Sequence, residues 1–499
     1  MLWKMSKLNV AKHYHSILKA MSKNTNIPSE ICNLFNKNRL PLVVSTFNKL
    51  VESLHLGNTD LGGHKRENCQ LTNLQVFQLL VLLPFFSVVN AFNYSGSVLS
   101  KMFGGKKDML YSFMSQDNID WRNIIYRVTV KLISNVTCRQ DYKKSTLPSV
   151  LIADDTDLPK SGLHMESIGK IFSHVHQSCI LGYKILALCW SDGRSQFMLD
   201  ASLHGETGKV AGKEQGLTAK QREARYKRER DENSCSAKRK NEYFMSKGKK
   251  LIEMVKRCIR AKIPFDYLLV DSWFTCKGLV KFVCHSHKKF HLLGMAKLGN
   301  TKYMTKSYGE SSAKALIGKM ERAKSVRYSR RYHCHYASLD ATLEGYSVRL
   351  FFCRRSKKEG WRVLLTTNTR LDFLKAYEIY AMRWSIEVFF SDAKRLLNLA
   401  SCSARDFSSQ IAHISLVMIR YNLLAMIKRS LDYETIGGLF RDVYAGVKEI
   451  TVIEKIWNII LEVVAVIAEV LEADSEHILR QVLEKEERLV ALRNYAKTA

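Results

Sequence analysis

The sequence predicts an α/β fold in which a core of strands and helices is interrupted by a strand-rich insertion and flanked by helical segments at both ends. Three observations predict it. Two short β-prone runs lead into acids, Ser149 to Ala153 before Asp154-Asp155-Thr156 and Phe265 to Val270 before Asp271, and strand ends are where open α/β sheets place their chemistry. Helical periodicity runs through residues 1–146 and returns after residue 368. Between residues 298 and 367 the pattern is instead the alternation of half-buried strands.

Composition bounds the function. The chain has 499 residues, room for roughly three domains of about 150 residues each. Lys and Arg number 78 against 47 Asp and Glu, a net charge of +31, and so large a surplus calls for a polyanionic partner. Hydrophobic residues at 46% with only six prolines describe a folded chain rather than a disordered one. The apolar run Leu79 to Val89 is about half the roughly 20 residues of a membrane span and contains Pro84 and Ser87, so no membrane partner is expected. Lys4 and Lys7 are not followed by an apolar stretch and cleavage site, so a secreted protein is not expected either. Twelve cysteines without a CxxC pair read as reduced thiols of a cytoplasmic chain. Cys284, His285, His287 and His291, with His333-Cys334-His335, invite a zinc reading. Their spacing lacks a matched second ligand pair, and histidines beside a basic surface explain them better.

The elements follow in order. Residues 1–146 are expected to form a helical N-terminal domain, with helices in Val43 to Leu54, Leu74 to Phe92 and Trp121 to Val136. Residues 147–297 and 368–402 are expected to form the α/β core. After the first strand, Ile180 to Trp190 and Gln196 to Leu203 are joined by the turn Ser191-Asp192-Gly193-Arg194 and read as its antiparallel neighbours. Lys220 to Lys250 holds twelve Lys and Arg against five acids, a candidate for tracking phosphates. A helix from Lys247, the strand ending at Asp271, a helix over Thr275 to Cys284 and a strand over Phe290 to Ala296 make a β-α-β unit. The insertion, 298–367, carries strands within Ser325 to Leu339, Tyr346 to Arg354 and Trp361 to Thr366. A long amphipathic helix spans Asp372 to Leu397, and residues 403–499 read as helices.

That long helix carries the candidate chemistry. At about 100° per residue, Tyr380, Arg383, Glu387 and Lys394 share one strip about 60° wide, beside a core face of Ile386, Phe390 and Leu397. An Arg/Glu pair four residues apart on a solvated face is the bland alternative. The acids Asp155, Asp271 and Glu387 tilt the balance, because cleavage of a phosphodiester by two metals needs carboxylates that hold two divalent cations about 4 Å apart. Oxygen ligands of this kind suit Mg²⁺, and without a cation three converging carboxylates repel one another.

The segment YAMRWSIEVFFSDAK resembles the Tyr-x2-Arg-x3-Glu-x6-Lys signature of the DDE transposases of bacterial insertion sequences, in the insertion-sequence-four family. IADDTDLPKSG resembles the first-Asp block of that family and FDYLLVDSWF its second; the basic run and the GYKILALCWSDGRS hairpin are similar too. The resemblance covers about residues 145 to 430. It implies a ribonuclease-H-like catalytic fold interrupted by the β-rich insertion, with Asp155, Asp271 and Glu387 as catalytic metal ligands. Asp155 rather than Asp154 is selected because it directly precedes Thr156. The same resemblance implies Tyr380, Arg383 and Lys394 as DNA contacts, and two Mg²⁺ ions for which Mn²⁺ can substitute. It also implies cut-and-paste transposition on terminal inverted repeats and target DNA, by a homodimer in the synaptic complex, in the cytoplasm and on the nucleoid of a bacterium. The N-terminal domain is then expected to bind transposon ends and the C-terminal helices to make dimer contacts. Trp273 and Trp384 are expected to be packed aromatics rather than base contacts, His174 and His176 residues of a strand face, and His413 a helix residue without a ligand role. The rival readings are an inactive or domesticated DNA-binding protein and a related nuclease that does not join strands.

Overall fold

The computed structural model describes residues 56–444, except 58, 68, 209 and 443; the expected helix over Val43 to Leu54 and everything after residue 444 lie outside the described residues. The chain separates into two compact units, one of Met1–Asn58, Gly63–Leu110 and Leu431–Ala499, the other of Thr59–Gly62 and Tyr111–Ser430. In the first, helix α1 (Asn73–Leu82) is opened by a reciprocal cap: the Thr72 hydroxyl accepts from the Gln75 amide while the Gln75 side chain accepts from the Thr72 amide. Pro84 then cuts short the helix expected to reach Phe92, since it lacks a donor to continue the ladder. Phe85 and Phe440 pack with ring centres 5.3 Å apart, and the Tyr444 hydroxyl accepts from Ser87 at 2.9 Å.

The second unit is built on one mixed sheet of twelve strands. Strand β1 (Val150–Pro159) lies inside it, antiparallel to β3 (Ser178–Ser191) and parallel to β5 (Tyr267–Val270). Beyond β3, β2 (Gly169–Ser173) and β4 (Gln196–His204) pair with different stretches of the same strand, and β5 is continued in parallel by β6 (His291–Ala296). The antiparallel hairpin β3–β4 and the β5–helix–β6 crossover are as the β-prone runs and turn residues predict.

The insertion extends this sheet rather than standing apart from it. Its strands are β7 (Lys302–Thr305), β8 (Gly309–Ser312), β9 (Arg327–Ser329), β10 (Cys334–Leu343), β11 (Tyr346–Arg354) and β12 (Arg362–Thr366). β12 pairs antiparallel with β6, from Val363 opposite Ala296 to Thr366 opposite Leu293. One helix that alternation did not foretell, Ala313–Arg322, sits between β8 and β9, with Leu316, Ile317 and Met320 buried at helical spacing.

Helix α2 (Trp121–Thr137) and the 24-residue helix α8 (Phe407–Ser430) cover β4, all nine of whose residues are buried. Among the described residues α8 alone is long and apolar enough to cross a membrane, and it is enclosed by the protein. Inside this packing Asn422 accepts from the Met198 amide at 2.6 Å and donates to Met198 O and Thr129 Oγ1 at 2.9 Å each. Asp200 on β4, fully buried, accepts from Arg122 at 2.9 Å and Arg257 at 2.8 Å. Arg122 also forks onto Glu242 at 2.7 and 2.8 Å.

Candidate active site

β1 does not end at its acids. It runs four residues beyond Asp155, and Asp154 and Asp155 lie in its middle. They mark instead where β5 leaves β1, because the parallel pairing stops at Ala153 opposite Val270. Continuing that register sets Asp271 beside Asp154, on the same side of the pleat. Asp271 is held there by a turn in which its carboxylate accepts from the amides of Trp273 at 2.9 Å and Phe274 at 3.2 Å, and its carbonyl accepts from Thr275 Oγ1 at 2.9 Å. The turn depends on Gly294 in β6, where a Cβ would meet the Thr275 hydroxyl and come within 2.9 Å of Val270 Cγ2. Helix α3 (Lys247–Arg260) precedes β5, and α4 (Lys277–Cys284) follows the turn.

The long helix expected over Asp372 to Leu397 is two helices. After α5, the Ala313–Arg322 helix of the insertion, α6 (Phe373–Ala381) and α7 (Trp384–Arg395) meet at a turn through Met382 and Arg383. The amides of Met382 and Arg383 bond to carbonyls only three residues back, Ile379 and Tyr380, which winds the backbone about 20° per residue tighter than an α-helix. So local a change of phase leaves the polar strip intact. Arg383 lies with its guanidinium carbon 5.9 Å from the centre of the Tyr380 ring. It donates from Nη2 to Glu387 and from Nη1 to Asp154 Oδ2 at 2.8 Å. Lys394 donates to Thr156 Oγ1 at 2.8 Å, and the Tyr380 hydroxyl donates to Val270 O at 3.2 Å. Thr156 and Asp154, two apart on β1, thus face the α6–α7 strip together.

Asp155 faces the other way. Its carboxylate takes Lys247 Nζ at 2.6 Å, and the same ammonium lies 4.4 Å from the centre of the Trp273 ring. Of the three acids expected to converge, Asp271 and Glu387 therefore share a side with Asp154, while Asp155 is on the opposite pleat with α3. The two-residue period of β1 puts Asp154 on the side of the α6–α7 strip and Asp155 on the side of α3. Burial raises the Asp154 carboxyl to about 7, against the pull of Arg383, and the neighbouring Asp271 and Asp155 charges add to the rise. Burial likewise raises Tyr380 to about 12.

Several expectations change. Trp273 and Trp384 are not packed: they are 53% and 64% exposed. The basic run is largely spent inside the protein. Arg230 forks onto Glu166 at 2.6 Å, Arg228 pairs with Asp117 at 2.8 Å, Lys240 with Glu166 at 2.7 Å and Lys250 with Glu242 at 2.6 Å. Solvent-facing positive charge gathers instead at the far end of α3, where Lys256, Arg260, Lys281 and Lys288 line a cleft of about 740 Å³. His174 and His176 lie past the end of β2, and the buried His413 ring bonds the Asn398 carbonyl at 2.8 Å.

Among the described residues no three His, Cys, Asp or Glu side chains enclose a point where a metal ion would sit. The donor set nonetheless suits one. Asp154, Asp271 and Glu387 offer the hard oxygen ligands that Mg²⁺ prefers, and the guanidinium shared by two of them shows that positive charge is accepted between β1 and α7. Asp155 is engaged by Lys247 on the other face.

Residues 246–423 match the family model described as transposase DDE domain, and residues 97–285 match that of DDE superfamily endonuclease. The two matched spans overlap and together run from residue 97 to residue 423. Among solved structures, a cryo-electron microscopy structure of the piggyBac transposase synaptic complex with hairpin DNA is similar at 13% identity and a TM-score of 0.41, over 85% of this chain and 80% of that one. None of the curated proteins matches.

Proposed function

We propose that the chain is a DNA transposase of the insertion-sequence-four type, which cleaves the ends of a mobile element and joins them to target DNA. The observation that carries the reading is the meeting of Asp154 and Asp271, at the point where β5 leaves β1, with Arg383 and Glu387 of the Tyr-Arg-Glu-Lys strip. The sheet supports a ribonuclease-H-like core, since β4, β3 and β1 are antiparallel neighbours followed by the parallel β5 and β6.

In this proposal Asp154, Asp271 and Glu387 hold the divalent cations, Mg²⁺ or Mn²⁺, and the sequence-based choice of Asp155 gives way to its neighbour on the ground of pleat geometry. The bound cations supply the charge that activates the attacking oxygen and stabilises the leaving one. Arg383 and Lys394, on the same side as the acids, bind backbone phosphates of the element's end, the planar fork of Arg383 matching a phosphate better than a point charge does. Tyr380, anchored to Val270 O, orients Arg383 beneath its ring. The exposed Trp273 offers an unpaired base a face to stack on. A homodimer on paired ends in the bacterial nucleoid completes the proposal.

The test is Mg²⁺-dependent cleavage and strand transfer on a labelled duplex carrying the element's own terminal repeats, comparing the parent with Glu387→Gln. Joined products from the parent alone support the reading. Cleavage without joining favours the nuclease alternative, and salt-sensitive binding with no cleavage by either protein favours a binding-only protein.

A further inference from the structure

One guanidinium here serves two carboxylates from different elements: Arg383 donates to Asp154 on β1 at 2.8 Å and to Glu387 on its own helix. Its side chain and that of Asp154 are each only 15% exposed, so salt and water screen the contact weakly. The neighbouring cations are engaged elsewhere. Lys247 is committed to Asp155 and Lys394 to Thr156, which leaves Arg383, among the described residues, as the cation that bridges acids on this face.

We infer that Arg383 is the resting counter-ion of the catalytic acids: it occupies the place of the divalent cation, and DNA binding opens the site to metal by drawing the guanidinium onto a backbone phosphate. The inference rests on the reading of Asp154 and Glu387 as metal ligands. A guanidinium and a divalent ion compete for the same oxygens, since both need the carboxylates ionised and unshared. A phosphate offers the fork an equally good bidentate partner, and the exchange needs rotation only of the long Arg383 side chain, not of the α6–α7 turn. Thermodynamic reciprocity then requires that DNA tighten metal binding and that metal tighten DNA binding by the same factor. The arrangement keeps the protein from loading metal, and so from cutting, before an end is in place.

The test is Mn²⁺ binding by the full chain, followed by electron paramagnetic resonance with and without a terminal-repeat duplex. In the parent, DNA is expected to tighten Mn²⁺ binding. In Arg383→Gln, binding without DNA is expected to be tighter than in the parent by about tenfold or more, the effect of removing one positive charge a few ångströms away, and DNA adds nothing further. Arg383→Lys keeps the charge but loses the fork and is expected to fall between the two; it carries the test alone if the Gln variant does not fold. A residue that merely held the fold together would give the opposite sign, looser Mn²⁺ binding on its removal. Variants that bind Mn²⁺ no more tightly than the parent, in a parent whose binding is abolished by Asp271→Ala, overturn the inference while leaving the metal site intact. A parent that binds no Mn²⁺ at these acids even with DNA overturns the proposed function and the inference together.

Discussion

The chain meets acid with base in two ways. In the core of the second unit carboxylates are saturated with cations: Asp200 has Arg122 and Arg257, Glu242 has Arg122 and Lys250, and Glu166 has Arg230 and Lys240. Burial alone would raise these acids, yet the cations outweigh it, holding Asp200 and Glu166 below the usual range and Glu242 at about 2. At the candidate site burial wins, and Asp154 stands at about 7 with Arg383 divided between it and Glu387. The difference teaches that the number of nearby cations per acid, rather than burial, separates a structural ion network from a site able to take up another cation.

The contrast predicts where each substitution is felt. The largest expected effect is on cleavage: Asp154→Ala, Asp271→Ala or Glu387→Ala should each lower Mg²⁺-dependent cleavage by about a thousandfold or more, the several kcal/mol that metal-held charge contributes, with melting temperature little changed. Asp155→Ala should lose less, and a gel assay of the four variants decides the pleat argument. Full activity in Asp154→Ala with none in Asp155→Ala would return the first acid position to Asp155.

The network should respond in the reverse manner. Asp200→Asn removes the buried charge that Arg122 and Arg257 share and is expected to cost about 3–5 kcal/mol in denaturant unfolding, with cleavage per folded molecule retained. The two classes also titrate oppositely. Glu242, depressed in the folded state, contributes stability that is present above about pH 4.5 and lost as pH falls towards 2. Asp154, raised in the folded state, costs stability as pH climbs from about 4 to about 7. Asp154→Asn should therefore gain stability relative to the parent across that window and hold a constant difference above it; a flat difference from pH 4 to 8 would show that Asp154 is not raised.

Smaller effects are expected at the surface. Trp273→Ala should leave melting unchanged and weaken binding to ends with an unpaired base by about 1–3 kcal/mol, the value of one stacked base; equal weakening on a fully paired duplex would argue against stacking. Neutralising Lys256, Arg260 and Lys281 in the α3 cleft should flatten the salt dependence of DNA binding, by about one power of salt concentration for each phosphate that is no longer neutralised. The equivalent change at Arg228 and Arg230 should instead register as lower stability.

Much of the fold was legible in the sequence. β-prone runs located β3, β4 and β6 closely and alternation located β11, because β-branched and aromatic residues favour the pleated backbone and a half-buried strand repeats every two residues. The Tyr380, Arg383, Glu387 and Lys394 spacing likewise announced one polar strip. The break at Met382 was not legible, since both halves keep helical periodicity across a turn only slightly overwound. Nor was the insertion helix, which sits amid strand-type alternation, or the continuity of β12 with β6, which is a matter of pairing.

By itself the sequence determined which residue types are present, their local periods and the order of the acid-bearing blocks, because these follow from short-range spacing. Tertiary structure alone decided that Arg228, Arg230, Lys240 and Lys250 are consumed by acids of the protein itself rather than presented to a polyanion, since ion pairing depends on partners up to 113 residues away, as Arg230 and Asp117 are. It also decided that Trp273 and Trp384 face solvent. Between two consecutive aspartates it put Asp154 beside Glu387 and Asp155 beside Lys247. The physical reason is the pleat: neighbours in a strand point to opposite faces, and only the packing of α3 and α7 against the sheet determines what each face meets.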